Sequence, residues 1–77
     1  MKIEFLGKFQ NILIALSVTD KGINLAFTDE VSLDSITVSN ANIRDFQYLV
    51  TRFDVGTSDF IDWFKDNDID ILDILPD

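Results

Sequence analysis

The first half of the chain alternates between apolar and polar residues, and a period of two is typical of half-buried β-strands. In residues 2–6, Ile3 and Phe5 share one face and the residues around them share the other. We therefore predict a first strand there, followed by a turn or a bulge at Gly7-Lys8. The β-branched-rich run at residues 12–19 has the length and composition of a second strand.

The segment Asp-Lys-Gly at residues 20–22 lies between two apolar runs and predicts a tight hairpin. We expect a three-residue loop in which Gly22 takes the positive φ that glycine tolerates best. A third strand then covers residues 23–28. The polar stretch 29–34 is expected to connect it to a short fourth strand at residues 35–38.

Beyond Val38 the apolar residues recur about every 3.6 positions, which predicts a helix. Its apolar stripe consists of Ile43, Phe46, Leu49, Val50 and Phe53. We place this first helix at about residues 42–55. Asn40 or Asn42 can cap its N-terminus, and Gly56 stands where a left-handed residue commonly follows a helix.

A second helix is predicted to follow, with Thr57 or Ser58 as its N-cap. Asp59 lies in its first turn, where the helix dipole favours negative charge. Helical spacing gives this segment an apolar inner face that consists of Phe60, Trp63 and Phe64. Its charged outer face consists of Asp62, Lys65 and Asp66.

The tail at residues 68–76 fits two conformations. Its first residues alternate as in a strand, whereas residues 71–75 have helical spacing, and Pro76 would end either element. Strands first and helices later predict an α+β fold: a small antiparallel sheet of three to four strands packed against two C-terminal helices. We expect a single domain over residues 1–77. A small closed barrel with a helical tail is the alternative, disfavoured because four strands rarely close.

The amino-acid composition excludes most catalytic mechanisms. The chain has 77 residues, 47% of them hydrophobic, which is enough for a core, and it contains no cysteine and no histidine. It therefore lacks thiolate nucleophiles, the usual general base and the commonest metal ligands. We expect neither an enzyme nor a cofactor. Residues 66–70 resemble the start of a calcium loop, but Ile71 replaces its glycine and Asp77 its bidentate glutamate, so no metal site is predicted.

The apolar and basic residues of the sequence also indicate its partners and its location. The longest apolar run, residues 12–16, is too short to span a bilayer, and Glu4 and Lys8 interrupt any signal-peptide core. We therefore expect a cytoplasmic protein that does not contact a membrane. Six scattered basic residues form no positive stripe, so direct nucleic-acid binding is not expected. Apolar surface on so small a domain favours a homodimer or a protein partner.

Negative charge is concentrated in the last third of the chain. Residues 1–53 carry six acidic and five basic side chains, a net charge of −1. Residues 54–77 carry eight aspartates against Lys65 alone, a net charge of −7. None of the eight is glutamate, although glutamate is the better helix former.

This acidic stretch holds the candidate partner-binding residues. Three of its aspartates fall on one outward face of the second helix, and three more repeat that spacing if the tail is helical. The full candidate set is Asp59, Asp62, Asp66, Asp68, Asp70, Asp73, Asp77 and Trp63. A field of one sign favours association with an oppositely charged surface. The predicted partner is therefore a basic protein or ribonucleoprotein.

The amino-acid sequence leaves two functions open. The first is a non-enzymatic inhibitor that binds a basic, nucleic-acid-handling protein as a nucleic-acid mimic. Small phage anti-restriction and anti-CRISPR proteins and toxin-immunity proteins offer an analogy of class, without a residue match. The second is a structural or adaptor module that acts through homo-oligomerisation, with the charge serving only solvation.

Overall fold

Four strands are followed by three helices in the computed structural model of the protein, which describes residues 2–77. The elements are β1 (Ile3–Phe9), β2 (Ile12–Thr19), β3 (Gly22–Asp29), β4 (Ser35–Ser39), α1 (Ile43–Arg52), α2 (Thr57–Asp66) and α3 (Ile71–Ile74). The strands form one antiparallel sheet in the order β1-β2-β3-β4. The two longest helices have ten residues each, and none within residues 2–77 has the length and hydrophobicity needed to traverse a bilayer. The predicted α+β fold, with an N-terminal sheet and C-terminal helices, is confirmed.

Alternation along the strands gives the sheet two different faces. The inner face is covered by the helices and contributes the buried residues Ile12, Ile14, Leu16, Val18, Leu25 and Phe27. The open face carries the residues between them, and its central row consists of Leu6, Ala15, Ala26 and Thr37. Leu6 ends this row at the edge of the sheet, and its side chain is 69% exposed.

The first strand is longer than predicted, because Gly7 and Lys8 continue it and the chain turns at Gln10. Gln10 takes the left-handed conformation, with a φ of 56°. A Cβ at Gly7 would lie 2.6 Å from the Phe5 ring and 3.0 Å from the Trp63 ring. The glycine therefore permits close packing of two aromatic rings on the strand, and the predicted turn or bulge at Gly7-Lys8 is wrong.

The hairpin between β2 and β3 forms where it was predicted, but its loop is shorter. Thr19 pairs with Gly22, which leaves only Asp20 and Lys21 between the strands. Gly22 has the expected positive φ, 131°. A Cβ there would also collide with the side-chain oxygen of Asn40. The positive φ of the backbone therefore requires this glycine.

The first helix begins near the predicted position and ends earlier. Its N-cap is Asn42, whose side-chain oxygen accepts a hydrogen bond from the Asp45 N–H at 3.0 Å. The Asp45 carboxylate accepts the Asn42 N–H at 3.0 Å, which completes a capping box. The helix stops at Arg52, short of the predicted end, because the left-handed residue after it is Asp54 and not Gly56.

The two longer helices both pack on the inner face of the sheet, and Phe60 of α2 also reaches Phe27 of β3, with ring centroids 5.1 Å apart. α2 lies over β1, where the Phe9 and Phe60 ring centroids are 5.0 Å apart. α1 ends over β3, where the Phe53 and Phe27 centroids are 5.7 Å apart. Phe60 is fully buried and also contacts Phe46 of α1 at 6.1 Å. Rings from the sheet and from both helices therefore share one core.

Candidate interaction surface

Residues 54–77, called the acidic segment below, contain all eight clustered aspartates. Every one of these side chains is exposed. The longer helix of the segment is α2, in which Phe60 and Phe64 are fully buried. Burial of these two rings directs the opposite face of the helix toward solvent. That face carries the α2 row, which consists of Asp59, Asp62 and Asp66.

The N-terminus of α2 differs from the prediction. Its N-cap is Gly56, with a φ of −69°, and no side chain caps the helix. Neither Thr57 nor Ser58 therefore has the predicted capping role. A Cβ on Gly56 would lie 3.1 Å from a carboxylate oxygen of Asp59. Asp59 thus stands beside the first turn, where the helix dipole favours its negative charge.

The end of α1 places an aspartate in the left-handed backbone conformation, which aspartate tolerates better than most non-glycine residues. The Val55 N–H bonds to the Val50 carbonyl at 3.0 Å, and the Asp54 N–H bonds to the Thr51 carbonyl at 3.2 Å. This is the Schellman arrangement, in which the residue after the C-cap is left-handed and is most often glycine. Asp54 occupies that position with a φ of 56°.

The end of α2 repeats this arrangement. The Ile69 N–H bonds to the Phe64 carbonyl and the Asp68 N–H bonds to the Lys65 carbonyl, both at 2.9 Å. Asp68 has a φ of 63°. Both aspartates also stand at helix C-termini, where the dipole disfavours negative charge. Asp54 was absent from the candidate set, and no local signal in the sequence distinguishes it from the other aspartates that precede an apolar residue.

The tail does not extend the α2 row. Ile69 and Ile71 are both buried, and residues two positions apart cannot share one face of a helix. The chain therefore leaves the helix at Asp68, and α3 has only four residues. Asp70 is the N-cap of α3, Asp73 lies within it, and Asp77 follows it. These three aspartates are exposed but do not lie along one helix.

No salt bridge within residues 2–77 involves the acidic segment. The two that form link Lys8 to Glu30 at 2.9 Å and Arg52 to Asp34 at 2.7 Å. The hydrogen bond from Arg52 to Asp34, together with their Coulomb attraction, raises the pKa of Arg52. Lys65, the one basic residue of the segment, stands in the last turn of α2. The paired cations therefore neutralise acids outside the segment.

Trp63, the remaining candidate, holds α2 against the sheet. Its ring centroid lies 5.5 Å from that of Phe5 and 5.7 Å from that of Phe9, both on β1. Within α2 it contacts Phe60 at 5.6 Å and Phe64 at 5.0 Å. The side chain is half-buried. Trp63 therefore contributes to the core and leaves part of its side chain at the surface of α2.

In the described part of the chain, no three acidic side chains converge as ligands for a metal ion. The segment that resembles a calcium loop contributes Ile69 and Ile71 to the core, and its Asp68 ends α2. Protein-family models, curated protein sequences and solved structures give no match to this chain. The placement of the charged residues is therefore the feature of the molecule that bears on its function.

Proposed function

We propose that the protein is a non-catalytic inhibitor that binds a basic, nucleic-acid-handling protein or ribonucleoprotein through its acidic segment. Its carboxylates would occupy a groove that otherwise receives nucleic-acid phosphates. Inhibitors of the anti-restriction, anti-CRISPR and toxin-immunity type act on such partners inside the cell, so the proposed site of action is the cytoplasm. The analogy with this class of inhibitors rests on charge and size, and the chain shares no residue motif with them.

The observation that carries the proposal is the position of two aspartates. Asp54 and Asp68 have left-handed backbones, a conformation that glycine adopts without the steric cost of a Cβ. Each also places negative charge at a helix C-terminus, against the dipole. Stability would be served better by glycine or asparagine at these positions. The left-handed backbone alone is not specific to this segment, because Gln10 and Leu33 share it, but a function that needs negative charge accounts for aspartate at two positions where the helix dipole disfavours it.

The α2 row supplies the regular part of the proposed binding surface. Residues three and four apart on a helix lie about 5–6 Å from each other, so Asp59, Asp62 and Asp66 form a line of negative charge. No cation within residues 2–77 forms a salt bridge with them. Their charge is therefore available to attract and orient a basic surface. The exposed part of Trp63 adjoins the row, and tryptophan is a frequent interface anchor.

The experiment is capture of partner proteins from a lysate of the source cell, with tagged wild-type protein and two charge variants. One variant replaces all three aspartates of the α2 row with asparagine. The control variant removes the same number of charges from the first half of the chain through Glu4→Gln, Asp20→Asn and Glu30→Gln. Circular dichroism verifies that both variants are folded.

We expect the control variant to capture the same basic protein as the wild type and the α2-row variant to lose it. Duplex DNA added to the wash should release that protein, because it competes for the same groove. Equal capture by the two variants would contradict the proposal. Loss of capture by the control variant alone would move the binding site to the N-terminal half.

A further inference from the structure

The outer edge of β4 is open and carries no charge. β4 is the last strand of the sheet, and its residues 35–39, Ser-Ile-Thr-Val-Ser, include neither a charged residue nor a proline. Thr37, at its centre, is exposed. Charged residues and prolines are the usual features that prevent an edge strand from pairing with another chain. This edge therefore lacks both of those protections.

Two hydrogen bonds fix the direction of the β3 backbone. The Ile23 carbonyl accepts a hydrogen bond from the Ala41 N–H, and the Asp29 N–H donates one to the Asp34 carbonyl, both at 2.8 Å. Both bonds leave β3 on the side of β4. Because backbone groups alternate in direction along a strand, the odd-numbered residues of β3 all face β4.

The same alternation fixes the direction of the β4 backbone. Ile36 and Val38 are paired with odd-numbered residues of β3, so their backbone groups bond inward. Ser35, Thr37 and Ser39 therefore direct their N–H and C=O groups away from the sheet. No backbone hydrogen bond between elements of residues 2–77 ends on these outward groups.

The sequence of β4 is complementary to itself. When two copies run antiparallel about a twofold axis at Thr37, Ser35 opposes Ser39 and Ile36 opposes Val38. Thr37 then opposes its own counterpart. Each outward-facing pair exchanges both of its backbone hydrogen bonds. Hydroxyl-bearing residues meet on the open face, and the isoleucine–valine contacts extend the apolar inner face.

Charge distinguishes β4 from the opposite edge of the sheet. α2 lies over β1, where Trp63 and Phe5 have ring centroids 5.5 Å apart, so pairing through β1 would bring two acidic helices together. The start of β4 instead lies beside the end of α1, where Arg52 pairs with Asp34 at 2.7 Å. Pairing through β4 leaves the two α2 rows at opposite ends of the combined sheet.

We propose that the protein forms a symmetric homodimer in which β4 pairs antiparallel with β4 of a second copy, so that the two sheets become one. The proposal does not rest on the proposed function, because the dimer leaves α2 and its carboxylates exposed. The edge has only five residues and buries less area than a standard interface. The dimer therefore forms at high protein concentration, and it leaves the acidic segments of both copies exposed.

Sedimentation equilibrium at concentrations up to the millimolar range tests the proposal with charge variants at the twofold axis. T37K and T37E each place like charges opposite one another, so each should stay monomeric where the wild type dimerises. An equimolar mixture of the two variants places opposite charges together and should restore the dimer. L6K is the matched control, because Leu6 ends the same open-face row at the β1 edge, and it should dimerise like the wild type.

Backbone amide exchange gives a second readout on the wild-type protein. Protection of the Thr37 amide should rise with protein concentration, while protection of the Leu6 amide should not change. A wild-type protein that is monomeric at millimolar concentration would overturn the proposal. So would a dimer that survives in T37K, or one that is lost in L6K.

Discussion

Replacement of Asp54 and Asp68 by asparagine should stabilise the fold. These residues hold the left-handed positions that end α1 and α2. The Schellman hydrogen bonds of both helix ends join backbone atoms, and the side-chain bond at the end of α2 comes from Asn67, which donates to the Trp63 carbonyl at 2.8 Å. Asparagine has nearly the same shape as aspartate. The double variant D54N/D68N therefore removes a negative charge from each helix C-terminus without altering the packing.

The size of the effect follows from the helix dipole. A charge beside a helix end contributes about 0.3–1 kcal/mol at low ionic strength. Both side chains are exposed, so the two sites together should contribute roughly 1 kcal/mol. For a domain of this size, about 1 kcal/mol raises Tm by roughly 4–8 °C. Glycine at the same positions also relieves the left-handed backbone.

Thermal unfolding followed by circular dichroism at low and at high salt separates these two effects. At about 1 M salt the Debye length falls to about 3 Å, so the gain from asparagine should shrink, while the part of the D54G/D68G gain that comes from the left-handed backbone should persist. D59N is the control within α2, because Asp59 stands in the first turn, where the dipole favours its charge. Its Tm should fall. A Tm for D54N/D68N at or below that of the wild type at low salt would refute the reasoning.

Three further substitutions test capping and packing. N42A removes the oxygen that caps α1 and should lower the free energy of unfolding in urea by about 1 kcal/mol; an unchanged midpoint would contradict the capping role. G7A places a Cβ 2.6 Å from the Phe5 ring and should destabilise by roughly 1–3 kcal/mol, with a change in near-ultraviolet dichroism. F60A removes a fully buried ring and should reduce the free energy of unfolding in a denaturant titration by about 3–5 kcal/mol. A loss under about 1 kcal/mol would contradict a tightly packed core.

Hydrophobic periodicity is sufficient to predict the strands and the two long helices, because each of them buries one face. Residues of β2 alternate between buried and more exposed positions along the strand. The apolar stripe of α1 faces the core, with Phe46, Leu49 and Val50 buried. Asn42 can be predicted as a cap because the interaction involves residues only three positions apart.

The roles of individual glycines and the helix ends depend on contacts that the local sequence does not contain. Gly7 is required because α2, which begins fifty residues later, places Trp63 against it. Gly56 is of the residue type that most often follows the end of a helix. The left-handed residue is nevertheless Asp54, because ending α1 there lets Val55 pack against the core.

The charge of the acidic segment can be predicted from the sequence, but its geometry only in part. The α2 row follows from helical spacing around Phe60 and Phe64. The sequence left two conformations open for the tail, and the structure has the helical one at Ile71–Ile74, where Ile71 and Leu75 are buried one turn apart. The open edge at β4 depends on strand order, which the pattern of apolar residues does not determine.

Salt dependence of partner binding is the most direct test of an acidic binding surface. The protein captured from the lysate would be purified, and its Kd for the wild type and for the α2-row variant measured at low and at high salt. Binding through the acidic segment predicts that the Kd rises steeply with salt for the wild type and less steeply for the variant. A Kd that responds neither to salt nor to loss of the α2 row would contradict the proposed function and assign binding to the sheet.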